Sequence, residues 1–375
     1  MSIDEISQNI SAAEKTYLSE LEKYLAHFFQ QQHTILNSIS SESLALLTSI
    51  QQLSTGGKRL RALLAYWGWR AAGGSATAKE IVRAGAAIEL FQSAALIHDD
   101  IIDRSDTRRG APAVHKQFQA THTENSWRTD SFQFGTSSAI IAGDLCLSWS
   151  EQVFSSIPEL SQAGTYAREI FDLMRTEVMA GQYLDILGEV VGTESNDQAI
   201  SRARKVIRYK AAKYSCEHPL VLGGSLALNL PSPVAETSLP PLIQQFQAFA
   251  LPLGEAFQMR DDVLGVFGKT EDTGKPAGDD LREGKRTVLV ALTQRHADDE
   301  QWRKLDSQLG SQELTANDIS ELQEIIESSG ALGELEQEIE STGANAHRVL
   351  AEMNLDRLSQ GALENIVQRL LHRSV

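Results

Sequence analysis

The chain has 375 residues, 42% of them hydrophobic and 6% aromatic, which is enough apolar material for a large core. Its 34 Lys and Arg against 50 Asp and Glu give a formal charge of −16, and this excludes nucleic acid as the main partner, because phosphate backbones select basic surfaces. Cys146 and Cys216 form no disulfide framework, the polar first residues do not resemble a signal peptide, and no apolar run approaches the ~18 residues of a membrane span, so a cytoplasmic protein without a membrane span is expected.

Helical periodicity dominates from the start. Residues 12–53 read as one or two amphipathic helices, with Leu18, Leu21, Leu25 and Phe28 at three- and four-residue steps. Gly56 and Gly57 interrupt before Lys58-Arg59-Leu60-Arg61, and the next helix runs over about 78–104. Polar breaks at 120–131, 191–198 and 230–241 separate helices at 140–155, 164–187 and 200–214. A helix over about 242–266 leads into a Gly/Asp/Lys-rich loop at 268–287, and helices follow to the C-terminus. Alternating strands, repeats and long linkers are absent, so the expectation is one all-α domain over 1–375, with 1–50 and 300–375 structural.

The most informative segment is LIHDDIIDRSDTRRG at 96–110. On a helix Asp99 and Asp103 project from one face a turn apart, with Asp100 rotated by ~100°. Like charges at that spacing are mildly destabilising, and a hard divalent cation is the natural compensation: magnesium takes a few carboxylates together with substrate phosphate oxygens. An isolated DDxxD is often only a solvated helix end. Here the apolar run LFQSAALIH precedes it, and Arg108 and Arg109, suited to bidentate phosphate contacts, follow at once. His98 reads as a packed neighbour, since magnesium favours oxygen.

A second acidic pattern, FQMRDDVLGVFG at 257–268, ends another apolar helix in Asp261 and Asp262, with Gln258 a turn earlier. Two such clusters, 162 positions apart, suggest facing helices that share one cavity. Lys58 and Arg61 follow a Gly-Gly break, where backbone can approach an anion closely. Lys210, Lys275 and Lys285 add cations whose concentration near aspartates in an acidic chain favours an anionic small substrate.

GGKRLR at 56–61, DDIIDRSDTRRG at 99–110, GQYLD at 181–185, the Lys210 segment, FQMRDD at 257–262 and GKPAGDD at 274–280 together resemble the trans-isoprenyl diphosphate synthases, in that family's order. The likeness is strongest to geranylgeranyl diphosphate synthases of the actinobacterial type. It implies an all-α isoprenoid synthase fold, a helical bundle around a central cavity, a homodimer, and a magnesium-dependent enzyme that joins isopentenyl diphosphate to dimethylallyl, geranyl or farnesyl diphosphate. By position, Asp99, Asp103 and Asp261 would ligate magnesium, with Asp100 and Asp262 in support. Lys58, Arg61, Gln92 and Arg109 would hold isopentenyl diphosphate, and Arg108, Lys210 and Lys275 the allylic diphosphate. Gln182, Asp185 and Gln258 would line the reacting centre, with Lys285 behind the phosphate loop. Two departures stand out: Gly265 replaces the final aspartate of the commoner second motif, and Ala211 replaces a threonine.

Side chains one and two turns before Asp99 would line the channel for the growing tail. Ala94 and Ala95 leave the first level open and Phe91 would form a floor, about one isoprene length per ~5.4 Å turn; a twenty-carbon product is expected. A class I terpene cyclase would use a DDxxD cluster too, but it leaves Lys58, Arg61 and Arg109 unexplained. A catalytically silent partner subunit is suggested only by Gly265.

Overall fold

The first expected amphipathic stretch forms helices α1 (Ile3–Ile39) and α2 (Leu44–Ser54). The structure, a computed structural model, describes residues 3–191, 195–232, 239–268 and 277–371. Helix α3 (Leu60–Ala71) follows the Gly-Gly turn, and α4 (Lys79–Ile102) carries the first aspartates. Then come strands β1 (Thr107–Arg108) and β2 (Ala111–Pro112), α5 (Val114–Glu124), α6 (Ser131–Ser155), α7 (Tyr166–Val190) and α8 (Asn196–Val206). Residues Ile207–Glu217 continue α8 as a π-helix that leads into α9 (His218–Leu228). Helix α10 (Pro241–Phe267) carries the second aspartates, and α11 (Asp279–Glu283) is a single turn in the loop after it. The C-terminal helices are α12 (Val288–His296), α13 (Asp299–Gln308), α14 (Ala316–Ser328), α15 (Ala331–Glu352) and α16 (Arg357–Leu371). The fold is all-α, as the periodicity predicts; the two-residue strands are too short to produce an alternating pattern.

The chain divides into two compact units, 1–168 with 222–233 and 169–221 with 234–375. In the first, α1 buries one face through Ile10, Tyr17, Leu21, Leu25 and Phe28, the spacing of a 3.6-residue repeat. Tyr17 stacks on Tyr66 of α3 at 4.4 Å between ring centroids and donates to the Ile81 carbonyl of α4 at 3.4 Å. Helix α4 is buried on most sides, and its small Ala84, Ala86 and Ala87 let neighbours approach closely. Ser150 of α6 donates to the Ala87 carbonyl at 2.7 Å, and Trp149 packs edge-on against Phe28 and Phe29 of α1.

The second unit centres on apolar side chains of α10, α12, α14 and α15, among them Met259, Val263, Leu289, Leu292, Leu322, Ile326 and Leu335. The expected helix at 200–214 is present, but its π-register was not foreseen. There the His218 N–H reaches back five residues to the Lys213 carbonyl. A partly buried ion network braces this segment: Glu177 of α7 accepts from Lys213 Nζ at 2.7 Å and pairs with His218 Nε2 at 2.6 Å. Among the described residues no helix is long and apolar enough to cross a membrane.

Burial pushes the Glu177 carboxyl up, but the bonds from His218 and Lys213 outweigh it and hold the group below the ordinary glutamate range. A depressed folded pKa contributes stability that is present above the unfolded value and lost as pH falls through the folded one. Glu177→Gln is therefore expected to cost about 2 kcal/mol at neutral pH and to flatten the acid limb of a melting-temperature profile between about pH 5 and 3. An acid limb identical to the wild type would refute this role.

Candidate active site

In the first unit, Asp99 and Asp103 lie one turn apart at the end of α4, where the Asp103 N–H donates to the Asp99 carbonyl at 2.8 Å. The hairpin that follows turns on Arg109 (φ 54°) and Gly110 (φ 74°) and pairs Arg108 with Ala111. Two consecutive positive φ values match the right-handed twist of a tight hairpin. This turn brings Arg108 back to α4: its Nε donates to Asp100 Oδ1 at 2.8 Å, and its Nη2 pairs with both Asp100 and, at 3.3 Å, Asp99 Oδ2. The Asp100 side chain is 1% exposed and that of Asp99 22%. Asp100 thus anchors Arg108, while Asp99 and Asp103 are only half-buried. His98 packs over Gly143, its Nε2 3.4 Å from the Ile140 carbonyl oxygen, as a neighbour rather than a member of this group.

The Arg109 guanidinium lies over the Gly-Gly turn and donates to the Leu53 carbonyl at 3.0 Å. Gly57 has φ 86°, which requires glycine for the turn, and a Cβ there would come within 2.9 Å of Arg109 Nη2, so the guanidinium would have to shift. Burial lowers the Arg109 pKa, and the nearby cations Arg59, Arg108 and Arg61 lower it further. Lys58 is exposed and Arg61 half-buried at the start of α3. On α4, Gln92 and Ala95 are half-buried, whereas Phe91 and Ala94 are buried in the core. Ala95 therefore shares the accessible face of Asp99, and Ala94 does not. Arg59 and Glu89, which sequence reasoning passed over, form a buried pair at 2.9 Å. The signal was an acid inside the apolar run AAIELF, which needs a cation nearby.

In the second unit, Lys210 sits in the π-helix and pairs with Asp185 of α7 at 2.5 Å. The helices approach so closely that a Cβ on Gly181 would lie 2.4 Å from the Lys210 backbone nitrogen. Gln182 is half-buried, and among the described residues its Nε2 meets no hydrogen-bond partner. On α10, Gln258 Nε2 donates to Asp262 Oδ1 at 2.9 Å, and Asp261 is half-buried. Burial, then the charge of Asp280, pushes the Asp262 carboxyl well above the usual aspartate range. Lys285 lies 2.5 Å from Glu283 and 3.4 Å from Asp280. Lys275 falls outside the described residues. Among those described, no three His, Cys, Asp or Glu side chains are placed to hold a metal ion by themselves.

Gly265 has a local explanation. A Cβ at this position would lie 1.9 Å from Asp280 Oδ2 and 2.3 Å from its Cγ, so the Asp280 carboxylate fills the space that a side chain at 265 would take. Gly265→Ala is expected to displace Asp280 and cost about 1 to 3 kcal/mol in urea unfolding, with the loss largely relieved in the double variant carrying Asp280→Ala. Full additivity of the two changes would show that the residues do not compete for this space.

A sequence model described as polyprenyl synthetase matches residues 43–327. The geranylgeranyl diphosphate synthase of Saccharolobus solfataricus is 29% identical over 281 residues, 74% of this chain and 75% of that protein. The (2E,6E)-farnesyl diphosphate synthase of Mycobacterium bovis is 29% identical over 277 residues, 73% of this chain and 68% of that protein. Among solved structures, geranylgeranyl pyrophosphate synthase from Corynebacterium glutamicum, complexed with isoprenyl diphosphate and magnesium, matches with a TM-score of 0.86 at 35% identity, over 96% of this chain and 99% of that one.

Proposed function

The chain belongs to the polyprenyl synthetase family, the trans-prenyl diphosphate synthases, and on that footing we propose that it condenses isopentenyl diphosphate with allylic diphosphates to geranylgeranyl diphosphate, with magnesium as cofactor. The observation that carries this reading is the group at the end of α4: Asp99 and Asp103 a turn apart, with Arg108 held beside them by the hairpin. The donor set suits the metal. It consists of hard carboxylate oxygens, and magnesium needs only one or two of them because phosphate oxygens and water complete its shell.

Magnesium, when bound, neutralises charge on the allylic diphosphate and makes it a better leaving group. By family position Asp99, Asp103 and Asp261 would hold it, with Asp262 in support. Arg108 and Lys210 are each paired with a carboxylate (Asp100 and Asp185), and each carries N–H donors that a diphosphate can engage as negative charge develops on its oxygens. Lys275 would add charge on the same substrate, with Lys285 behind the phosphate loop. Lys58, Arg61, Gln92 and Arg109 would hold isopentenyl diphosphate so that its double bond attacks the allylic carbon, while Gln182 and Gln258 line the reacting centre. The proton lost from the condensed product passes to the departing diphosphate. The apolar helices exclude water, which would otherwise quench the cation.

Ala95, half-buried on the Asp99 face, supports an open first level for the tail, and buried Phe91 supports a floor a turn deeper. Exposed Phe132, Ile140 and Ile141 along α6 support a homodimer.

Three measurements test this reading. Purified protein given labelled isopentenyl diphosphate and each allylic starter is expected to yield a twenty-carbon linear diphosphate with magnesium and none with a chelator. Asp99→Ala is expected to lower turnover about 100-fold or more. A cyclic hydrocarbon from one substrate, or no elongation of any starter, would overturn the assignment. Ala95→Phe is expected to shift the product to fifteen carbons, and an unchanged chain length would refute the channel.

A further inference from the structure

Arg59 is the residue of the GGKRLR turn that does not face solvent. Lys58 is exposed and Arg61 half-buried, whereas the Arg59 side chain is 8% exposed and meets Glu89, 7% exposed, at 2.9 Å. Its second arm donates to the Ser54 carbonyl at 2.5 Å, at the last residue of α2. Ser54 and Ser93 of α4 join through their hydroxyls at 3.0 Å, and Ser93 also donates to the Glu89 carbonyl at 3.1 Å. Arg59 holds this place at a backbone cost, with φ 49° in the left-handed region that non-glycine residues rarely occupy. The Leu63 N–H closes the first turn of α3 on the Arg59 carbonyl at 2.9 Å.

A buried ion pair is a weak source of stability, because desolvating both charges offsets most of their attraction and an apolar pair of similar volume often does as well. Strain at one partner makes a purely stabilising role weaker still. The pair does fix geometry, since one planar guanidinium ties the end of α2 and the start of α3 to α4, the helix that carries Asp99 ten residues after Glu89. Arg109 donates to the Leu53 carbonyl, one residue from the carbonyl that Arg59 holds. Desolvation first, and then the neighbouring cations Arg59, Arg108 and Arg61, lower the Arg109 pKa, and Glu89 is the anion that opposes them.

We propose that Arg59 and Glu89 are positioning residues which hold Lys58, Arg61 and Arg109 as a preorganised cradle for the diphosphate of isopentenyl diphosphate, without touching it. This rests on the synthase reading above. Preorganisation matters because small displacements of a binding group weaken its hold on the reacting geometry.

The sign of one substitution separates positioning from direct contact. Glu89→Gln keeps the shape and frees the Arg59 charge. If Arg59 bound the diphosphate itself, affinity would rise or stay level; as a positioning pair, its loosening raises KM for isopentenyl diphosphate about 10-fold, with kcat and the allylic KM changed less than about 2-fold. Single variants that strand a buried charge can unfold, so the double variant Arg59→Met with Glu89→Leu removes both. It is expected to melt within a few degrees of the wild type, yet to keep the raised KM. A folded double variant with the wild-type KM, or a Glu89→Gln protein with unchanged or tighter KM, overturns the inference.

Calorimetry of inorganic pyrophosphate with the metal-free proteins reads the cradle without turnover. Binding weakened about 10-fold in Glu89→Gln supports it; equal binding, or none in the wild type, sinks it. A wild type that binds pyrophosphate but elongates no starter sinks the synthase reading instead.

Discussion

The organising constraint is that carboxylates and cations are concentrated in the same places and must neutralise one another until a ligand does so. At the end of α4, Asp99 and Asp100 would repel each other without Arg108, whose fork spans both. The hairpin exists in its particular form because this arginine must return to the helix it has just left. Its Arg109-Gly110 turn also directs the next guanidinium toward the Gly-Gly turn, so one short hairpin serves two groups of charge.

The second unit follows the same rule with different parts. Lys210 pairs with Asp185, Lys285 with Glu283 and Asp280, and Lys213 with Glu177. Asp262, enclosed by apolar side chains and facing Asp280, is held by Gln258 instead of a cation, and its carboxyl is shifted toward the protonated form. Under the proposed function Lys210 would exchange Asp185 for a phosphate oxygen, whereas the Lys213–Glu177 pair braces the π-helix. In this account, charge neutralisation in the resting protein anticipates the charge distribution of the bound state.

Much of this was legible in the sequence because it depends on periodicity and spacing. Asp99 and Asp103 at four-residue separation, the Gly-Gly break and the apolar runs before each acidic cluster are local patterns. The rest depends on contacts between residues distant in the chain. Nothing near Arg59 signals Glu89, thirty positions later, and the loss of an aspartate at Gly265 makes sense only beside Asp280. The π-register of 207–217 was illegible for a related reason. Its sequence suits an ordinary helix, and its altered register is accompanied by tertiary contacts, the close approach of Gly181 and the partly buried Glu177 network. Likewise the polar break expected at 120–131 begins inside α5, whose buried face is short, resting on Val114, His115, Phe118 and His122.

The most direct test of this exchange of partners is the coupling between metal and allylic substrate. The affinity of an unreactive allylic thiodiphosphate can be measured with and without magnesium, in the wild type and in the double variant Asp99→Asn with Asp103→Asn. The account predicts that magnesium tightens binding at least about 10-fold in the wild type and that the variant loses this gain. Equal affinity with and without the metal, or a gain that survives both substitutions, would contradict it.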